Sequence, residues 1–208
     1  MSAVEFVYFD LGNVLARFDP ERACRNLQRR WAVAPEDVLQ AVWTSGLQER
    51  LEHGQLTAEE FAAAARQTLG LDPARAPTEE LLERLCDMFE PIEEMVAVVD
   101  AVRSSGVPLG ILSNTCHAHW QWLARQRYAA LLGPFDSVVL SYEHGVMKPH
   151  PSLYRVAGEW AGVAPESILF FDDRAENVAA AVASGWQAHL FTDAARAREV
   201  LRWSGVLR

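Results

Sequence analysis

The chain has no lysine or arginine run, no long apolar stretch and no closely spaced cysteines. With a net charge of −9 and a pI near 5.1, nucleic acid and anionic membrane are poor partners. No stretch approaches the roughly 20 apolar residues of a membrane span. Cys24, Cys86 and Cys116 have neither zinc-ligand nor redox spacing, so reduced thiols in a cytoplasmic protein are expected, with Cys116 a small buried residue. Met1–Asp10 carries Glu5 and lacks a basic lead, which points to a buried strand and not a signal peptide. An acidic protein that binds phosphate must build its positive site locally, from a metal, a lysine and backbone N–H groups.

What is present suits a globular protein. The 208 residues are 50% hydrophobic and 23% charged, enough for one good core and a modest second module. Val4–Phe9, Val107–Leu112, Ser137–Leu140, Ser167–Phe171 and Ala188–Phe191 are short apolar runs ending in polar clusters, which predicts buried strands. Helical faces alternate with them: Met95, Val96, Val98, Val99 and Val102; Leu153, Val156, Ala157 and Trp160; Val178, Ala181 and Val182. The alternation predicts an α/β fold, a Rossmann-like parallel sheet with helices on both faces. Between the first strand and Glu93 the pattern is helical only. Helix starts fall at Asp19-Pro20-Glu21, at the capping box Thr57–Glu60 and at Pro77-Thr78. Residues 17–92 therefore read as an inserted helical cap, and residues 1–16 and 93–208 as the core domain.

Four motifs carry chemistry: F-D-L-G-N-V at Phe9–Val14, L-S-N-T at Leu112–Thr115, M-K-P at Met147–Pro149 and F-F-D-D at Phe170–Asp173. Asp10, Ser113 and Asp172 each follow a predicted strand. In an open parallel sheet such positions converge beyond the carboxyl ends of the strands, where ligands bind. Asp10 is the candidate nucleophile toward phosphorus. Ser113 and the N–H of Asn114 are candidate donors to phosphate oxygens, and Lys148 offsets the charge of the transferring group. Pro149 biases Lys148 toward extended backbone. Bare carboxylates at 4 Å in an effective dielectric near 20 repel by about 4 kcal/mol, so Asp10, Asp172 and Asp173 call for a hard divalent cation, Mg²⁺. Asp172 is expected to ligate directly and Asp173 through water or toward the lysine.

These motifs resemble the haloacid dehalogenase (HAD) superfamily, subfamily I with a helical C1 cap. Ser141, Glu143 and Gly145 before Lys148-Pro149, and Asn177 and Gly185-Trp186 after Asp172-Asp173, strengthen the resemblance, which spans about Val4 to Phe191. The opening motif is most similar to the bacterial α-D-glucose-1-phosphatase branch, and more distantly to the phosphatase domain of soluble epoxide hydrolases. The resemblance implies a Mg²⁺-dependent phosphatase, acting on a small phosphorylated metabolite such as a sugar 1-phosphate through an aspartyl-phosphate. It adds the backbone carbonyl of Gly12 as a metal ligand.

Gly12 departs from the phosphatase pattern, where an aspartate protonates the leaving oxygen and later activates water. Such help is typically worth 10²–10⁴-fold, and Asn13 cannot titrate in its place. The leaving group needs little protonation, another residue supplies the proton, or turnover is slow. Glu49, Glu52 and His53 in the cap are candidate donors, as are His117 and His119, which also read as exposed helix residues. Trp120 and Trp122 are candidates for stacking on a sugar but more readily for packing. Arg17 is a candidate substrate contact or a salt bridge, and Asp19 a helix cap. The competing readings are a 2-haloacid dehalogenase, against which the Asp172-Asp173 pair argues, and a catalytically weak phospholigand-binding module.

Overall fold

The computed structural model describes residues 2–131 and 133–208. The chain begins with β1 (Phe6–Phe9) and a short β2 (Ala16–Phe18). Five helices follow: α1 (Pro20–Trp31), α2 (Pro35–Leu39), α3 (Leu47–Glu52), α4 (Ala58–Leu69) and α5 (Thr78–Cys86). A π-helical turn, Gln40–Thr44, joins α2 to α3. After β3 (Phe89–Pro91) come α6 (Glu93–Ser105), β4 (Leu109–Ser113), α7 (His117–Gln126), β5 (Ser137–Leu140) and α8 (Ser141–His144). The chain then runs through α9 (Pro151–Ala161), β6 (Ile168–Asp172), α10 (Ala175–Ala183), β7 (Gln187–Leu190) and α11 (Ala194–Trp203).

The main sheet has the order β5-β4-β1-β6-β7, with every pair parallel. Each predicted apolar run forms a strand, with boundaries within two residues of those expected. Side chains of β1 alternate between two cores, as strand pleating requires. Val7 and Phe9 join the apolar faces of α6 and α11, whereas Phe6 and Tyr8 join α9 and Trp186 on the other side. Tyr8 needs a glycine neighbour: a Cβ on Gly110 would lie 2.5 Å from its ring. Among the described residues no helix is long and apolar enough to cross a membrane.

The predicted helix starts hold. Asp19 accepts from the Arg22 N–H at 3.1 Å with Pro20 in the first turn, Thr57 and Glu60 close a reciprocal capping box, and α5 begins directly after Pro77. The expectation of helices alone before Glu93 fails. β2 and β3 pair antiparallel, Arg17 opposite Glu90 and Phe18 opposite Phe89, where the chain leaves the sheet and returns to it. Strands of three residues show no readable alternation, and their partners lie more than seventy positions apart, so no local pattern encodes them. Two helices bury narrower faces than their sequences predict. Trp160 and Val182 are exposed, while Leu153, Ala157 and Ala181 are buried. The helices between β2 and β3 do not stand apart from the sheet: Leu27, Phe61 and Leu81 belong to the same apolar core as Val7 and Phe9.

Candidate active site

Strand ends bring the motif residues together. Asp10 follows β1, Ser113 ends β4 and Asp172 ends β6, and β1 lies between the other two strands. Lys148 is the only lysine of the chain and is buried. Its ammonium donates to the Leu112 carbonyl at 2.9 Å and to Asp172 Oδ2 at 2.6 Å, and lies 2.9 Å from Asp10 Oδ1. All three N–H bonds are thereby directed. Asn114 fixes the lysine backbone from both sides: its Oδ1 accepts from the Lys148 N–H at 2.7 Å and its Nδ2 donates to the Lys148 carbonyl at 2.9 Å. The following Lys148–Pro149 bond is cis.

Asp10 is nearly buried, yet it lines a cavity of about 190 Å³ with Gly12, Ser113, Asn114, Lys148 and Asp173. Its Oδ1 accepts from the Leu11 N–H at 2.7 Å and meets Lys148, while among the described residues Oδ2 has no hydrogen-bond donor. Burial pushes the Asp10 carboxyl up to about 7 against the pull of Lys148, with Asp172 adding to the rise. Burial alone would depress Lys148, but Asp10 and Asp172 outweigh it and hold the lysine above its ordinary value.

Of the two motif-four aspartates, the lysine meets Asp172 and not, as expected, Asp173. Asp172, fully buried, is the lysine-facing one; it also accepts from the Arg174 N–H at 2.9 Å and from Asn177 Nδ2 at 3.0 Å. Asp173, only partly buried, lines the cavity, and its Oδ2 accepts from Asn13 Nδ2 at 2.9 Å. The residue that ends the strand points into the lysine layer, and the next one turns outward. One oxygen from each of Asp10, Asp172 and Asp173 lies within 4.8 Å of the others. Three carboxylates against one ammonium leave the cluster short of positive charge, and its donors are all oxygens. That set fits a hard divalent cation.

Gly12 lines the same cavity, and a Cβ built on it meets nothing within 4 Å. A side chain there would therefore fit. Asn13, which cannot titrate, takes a left-handed backbone at φ 54° and links two parts of the site. It donates to Asp173, while its Oδ1 accepts from the Phe18 N–H at 3.1 Å, tying β2 to the cavity floor.

The proton-donor candidates separate clearly. Glu52 and His119 line the cavity with Asp10. Glu49 and His53 line only an adjoining groove of about 690 Å³, which Glu52 also borders. His117 is exposed, its ring edge-on to Tyr142 at 5.9 Å. His119 corrects the surface reading: it is buried, edge-on to Phe89 at 5.2 Å, and burial pulls its imidazole down to about 4. Burial pushes Glu52 up to about 7. Trp122 packs against Phe89 and Tyr128, Trp120 is partly buried against the core, and neither borders the Asp10 cavity. Arg17 lines a different cavity with Arg198 and Asp193. Met147 of the M-K-P motif also walls the site or its groove, as do Gln48, Phe18 and Phe89, which carried no signal in the sequence because their neighbours come from distant elements.

Known proteins resemble this chain in sequence and fold. Phosphatase MT3486 of Mycobacterium tuberculosis is 27% identical over 95% of this chain and 91% of its own. The D-ribitol-5-phosphate phosphatase of Bacteroides thetaiotaomicron is 25% identical over 84% of this chain and 85% of its own. A HAD family enzyme of the same organism, crystallised with magnesium and inorganic phosphate, superposes with a TM-score of 0.77, covering 91% of this chain and 95% of its own at 22% identity. An (S)-2-haloacid dehalogenase is also among the relatives. The family model described as haloacid dehalogenase-like hydrolase matches residues 4–185, and the chain belongs to that family of hydrolases.

Proposed function

We propose that the protein is a Mg²⁺-dependent phosphatase of a small phosphorylated metabolite, working through an aspartyl-phosphate on Asp10. The observation that carries this reading is the division of labour in the Asp10 carboxylate. Oδ1 is held by Leu11 and Lys148, and Oδ2 is left without a donor at a cavity that also holds Ser113 and Asp173. Asp10 attacks phosphorus in line, the alcohol departs, and water then hydrolyses the acyl phosphate. Ser113 and the Asn114 N–H orient phosphate oxygens, and Lys148 stabilises the charge on Asp10 and Asp172. Asp10, Asp172, Asp173 and the Gly12 carbonyl would hold the ion, with Asp173 the most open to the cavity. Magnesium, when bound, neutralises phosphate charge and fixes its geometry.

The small cavity suits a phosphoryl group, and the adjoining groove suits the organic part of the substrate. Gln48, Glu49, His53 and His150 give that groove many polar contacts beside Phe18 and Trp43, which supports a sugar or polyol phosphate, including a sugar 1-phosphate as in the α-D-glucose-1-phosphatase branch. The ribitol-phosphate specificity of one relative points the same way. The helices between β2 and β3 act as the C1 cap, residues 17–92, over the 1–16 and 93–208 core. Three free, buried cysteines support a cytoplasmic location.

A phosphatase screen over sugar phosphates, with and without Mg²⁺ and with Asp10→Asn as the blank, tests the reading. Magnesium-dependent phosphate release that vanishes in the blank is expected. Chloride release from 2-chloropropionate without magnesium would establish the dehalogenase instead. Phosphate binding without any turnover would establish a binding module.

A further inference from the structure

Resting on the phosphatase reading above, we infer that Glu52, carried by the cap helix α3, is the general acid and base of the reaction in place of a side chain at position 12. Glu52 lies where the two spaces meet: it borders both the cavity that holds Asp10 and the groove that suits the leaving group. Position 12 offers only a hydrogen atom and open space.

Among the described residues the carboxyl has no cationic hydrogen-bond partner. Gln48 Nε2 donates to Glu52 Oε1 at 3.0 Å, and the neutral His119 ring stands 4.0 Å away across the cap–core boundary. Its backbone is registered against the core. Ser141 Oγ, which accepts from the Thr115 N–H at 3.0 Å, donates to the Glu52 carbonyl at 2.6 Å. Gly54, at φ 67°, lies so close to the Tyr142 carbonyl that a Cβ would sit 2.3 Å from its oxygen. The charged groups around Glu52 are Asp10 on the sheet side, Glu49 on its own helix and Arg174 from the β6–α10 loop, with Lys148 and the His53 and His150 rings along the groove. Burial dominates them and pushes Glu52 up to about 7, so both protonation states are accessible near neutrality.

The steps balance. As an Asp10 oxygen bonds to phosphorus, the phosphorus–oxygen bond to the alcohol breaks, its electron pair stays on that oxygen, and the Glu52 proton goes there. Water then attacks the aspartyl-phosphate, giving a proton to the Glu52 carboxylate. The phosphorus–oxygen bond to Asp10 breaks, inorganic phosphate leaves, and Glu52 is protonated again.

The test compares an alkyl phosphate, whose alcohol needs a proton, with p-nitrophenyl phosphate, whose phenolate does not. For Glu52→Gln, kcat on the alkyl phosphate is expected to fall about 10²-fold or more. With p-nitrophenyl phosphate a burst near one equivalent of phenolate should precede slow turnover, because phosphorylation survives and hydrolysis does not. Glu52→Asp should recover part of the alkyl rate, and adding Gly12→Asp to Glu52→Gln should restore turnover. Glu52→Gln with wild-type rates on both substrates, or with equal losses and no burst, overturns the role of Glu52 alone. Should Glu52→Gln fail to fold, Glu52→Asp decides: equal losses on the two substrates overturn the role, and a selective alkyl loss upholds it. Wild-type protein that releases no phosphate from either substrate overturns the phosphatase reading itself.

Discussion

Two polar clusters face the same cavity and are built on opposite plans. On the sheet side, Lys148 binds Asp10, Asp172 and a strand carbonyl, every ammonium proton is directed, and Asn114 and Asn177 brace the ends. Opposite it, Glu52 and Gln48 of α3 meet His119 of α7 loosely, at 3.0 to 4.0 Å, with no full ion pair among the described residues. The first cluster secures charge in place. The second holds two titratable groups away from their ordinary values by burial, with little else to fix them. A tightly paired group is a poor proton carrier and a good scaffold; a buried, weakly paired one is the reverse.

The largest expected effect breaks the sheet-side cluster. Lys148→Met keeps the volume and leaves Asp10 and Asp172 buried without their cation. Removing one partner of a buried pair costs about 3–5 kcal/mol, so the unfolding free energy read by urea titration should drop by that amount and turnover should vanish. A loss below about 1 kcal/mol would show that the cluster is far wetter than its geometry.

The cluster between α3 and α7 should show itself in pH dependence. His119 has a folded pKa near 4 against 6.5 when free, so protonation favours the unfolded chain and its contribution to stability rises with pH across that interval. Glu52 has a folded pKa near 7 against 4.5, so its contribution is fully present below 4.5 and is lost as pH rises through 7. Each is worth about 3 kcal/mol in total, and the two slopes oppose each other between pH 4.5 and 6.5. Glu52→Gln should therefore make stability rise more steeply with pH than in wild type, and His119→Gln should make it fall more steeply. Urea titrations at four pH values across the window read this directly. Unchanged slopes in both variants would mean that water reaches the cluster.

The contrast also explains what the sequence discloses. Asp10, Ser113 and Asp172 were legible because each follows an apolar run and strand ends converge in this architecture, whereas Lys148, in the loop between α8 and α9, was legible through its M-K-P motif. The order of the two aspartates was not, since the turn after Asp172 decides which one meets the lysine. His119 shows the limit more sharply. Its helix reads as polar, with Gln121 and Arg125 exposed, and the ring is met by groups from distant elements, Phe89 of β3 and Gln48 and Glu52 of α3. The β2–β3 ribbon that delivers Phe89 is invisible locally for the same reason. Glu52 was legible only as one of several acidic and histidine candidates; its selection is a fact of packing.

Gly54 offers a gentler cut through the contact that registers α3 against the sheet side. Gly54→Ala strains a left-handed backbone and drives a methyl into the Tyr142 carbonyl. The cost is expected at about 1–3 kcal/mol, with kcat falling while Asp10 can still be phosphorylated in a single turnover. Loss of single-turnover phosphorylation would show that α3 also organises the sheet side.

The smallest effect is a gain. Gly12→Asp has room, because nothing lies within 4 Å of the new Cβ. With Glu52 already serving, a second acid adds less than the 10²–10⁴-fold that a sole acid gives, so turnover on alkyl phosphates at saturating Mg²⁺ should rise only severalfold. In the Glu52→Gln background the same substitution should act at full strength. A Gly12→Asp gain as large in wild type as in Glu52→Gln would place the two carboxyls on separate tasks, and the comparison between the two clusters would lose its chemical half.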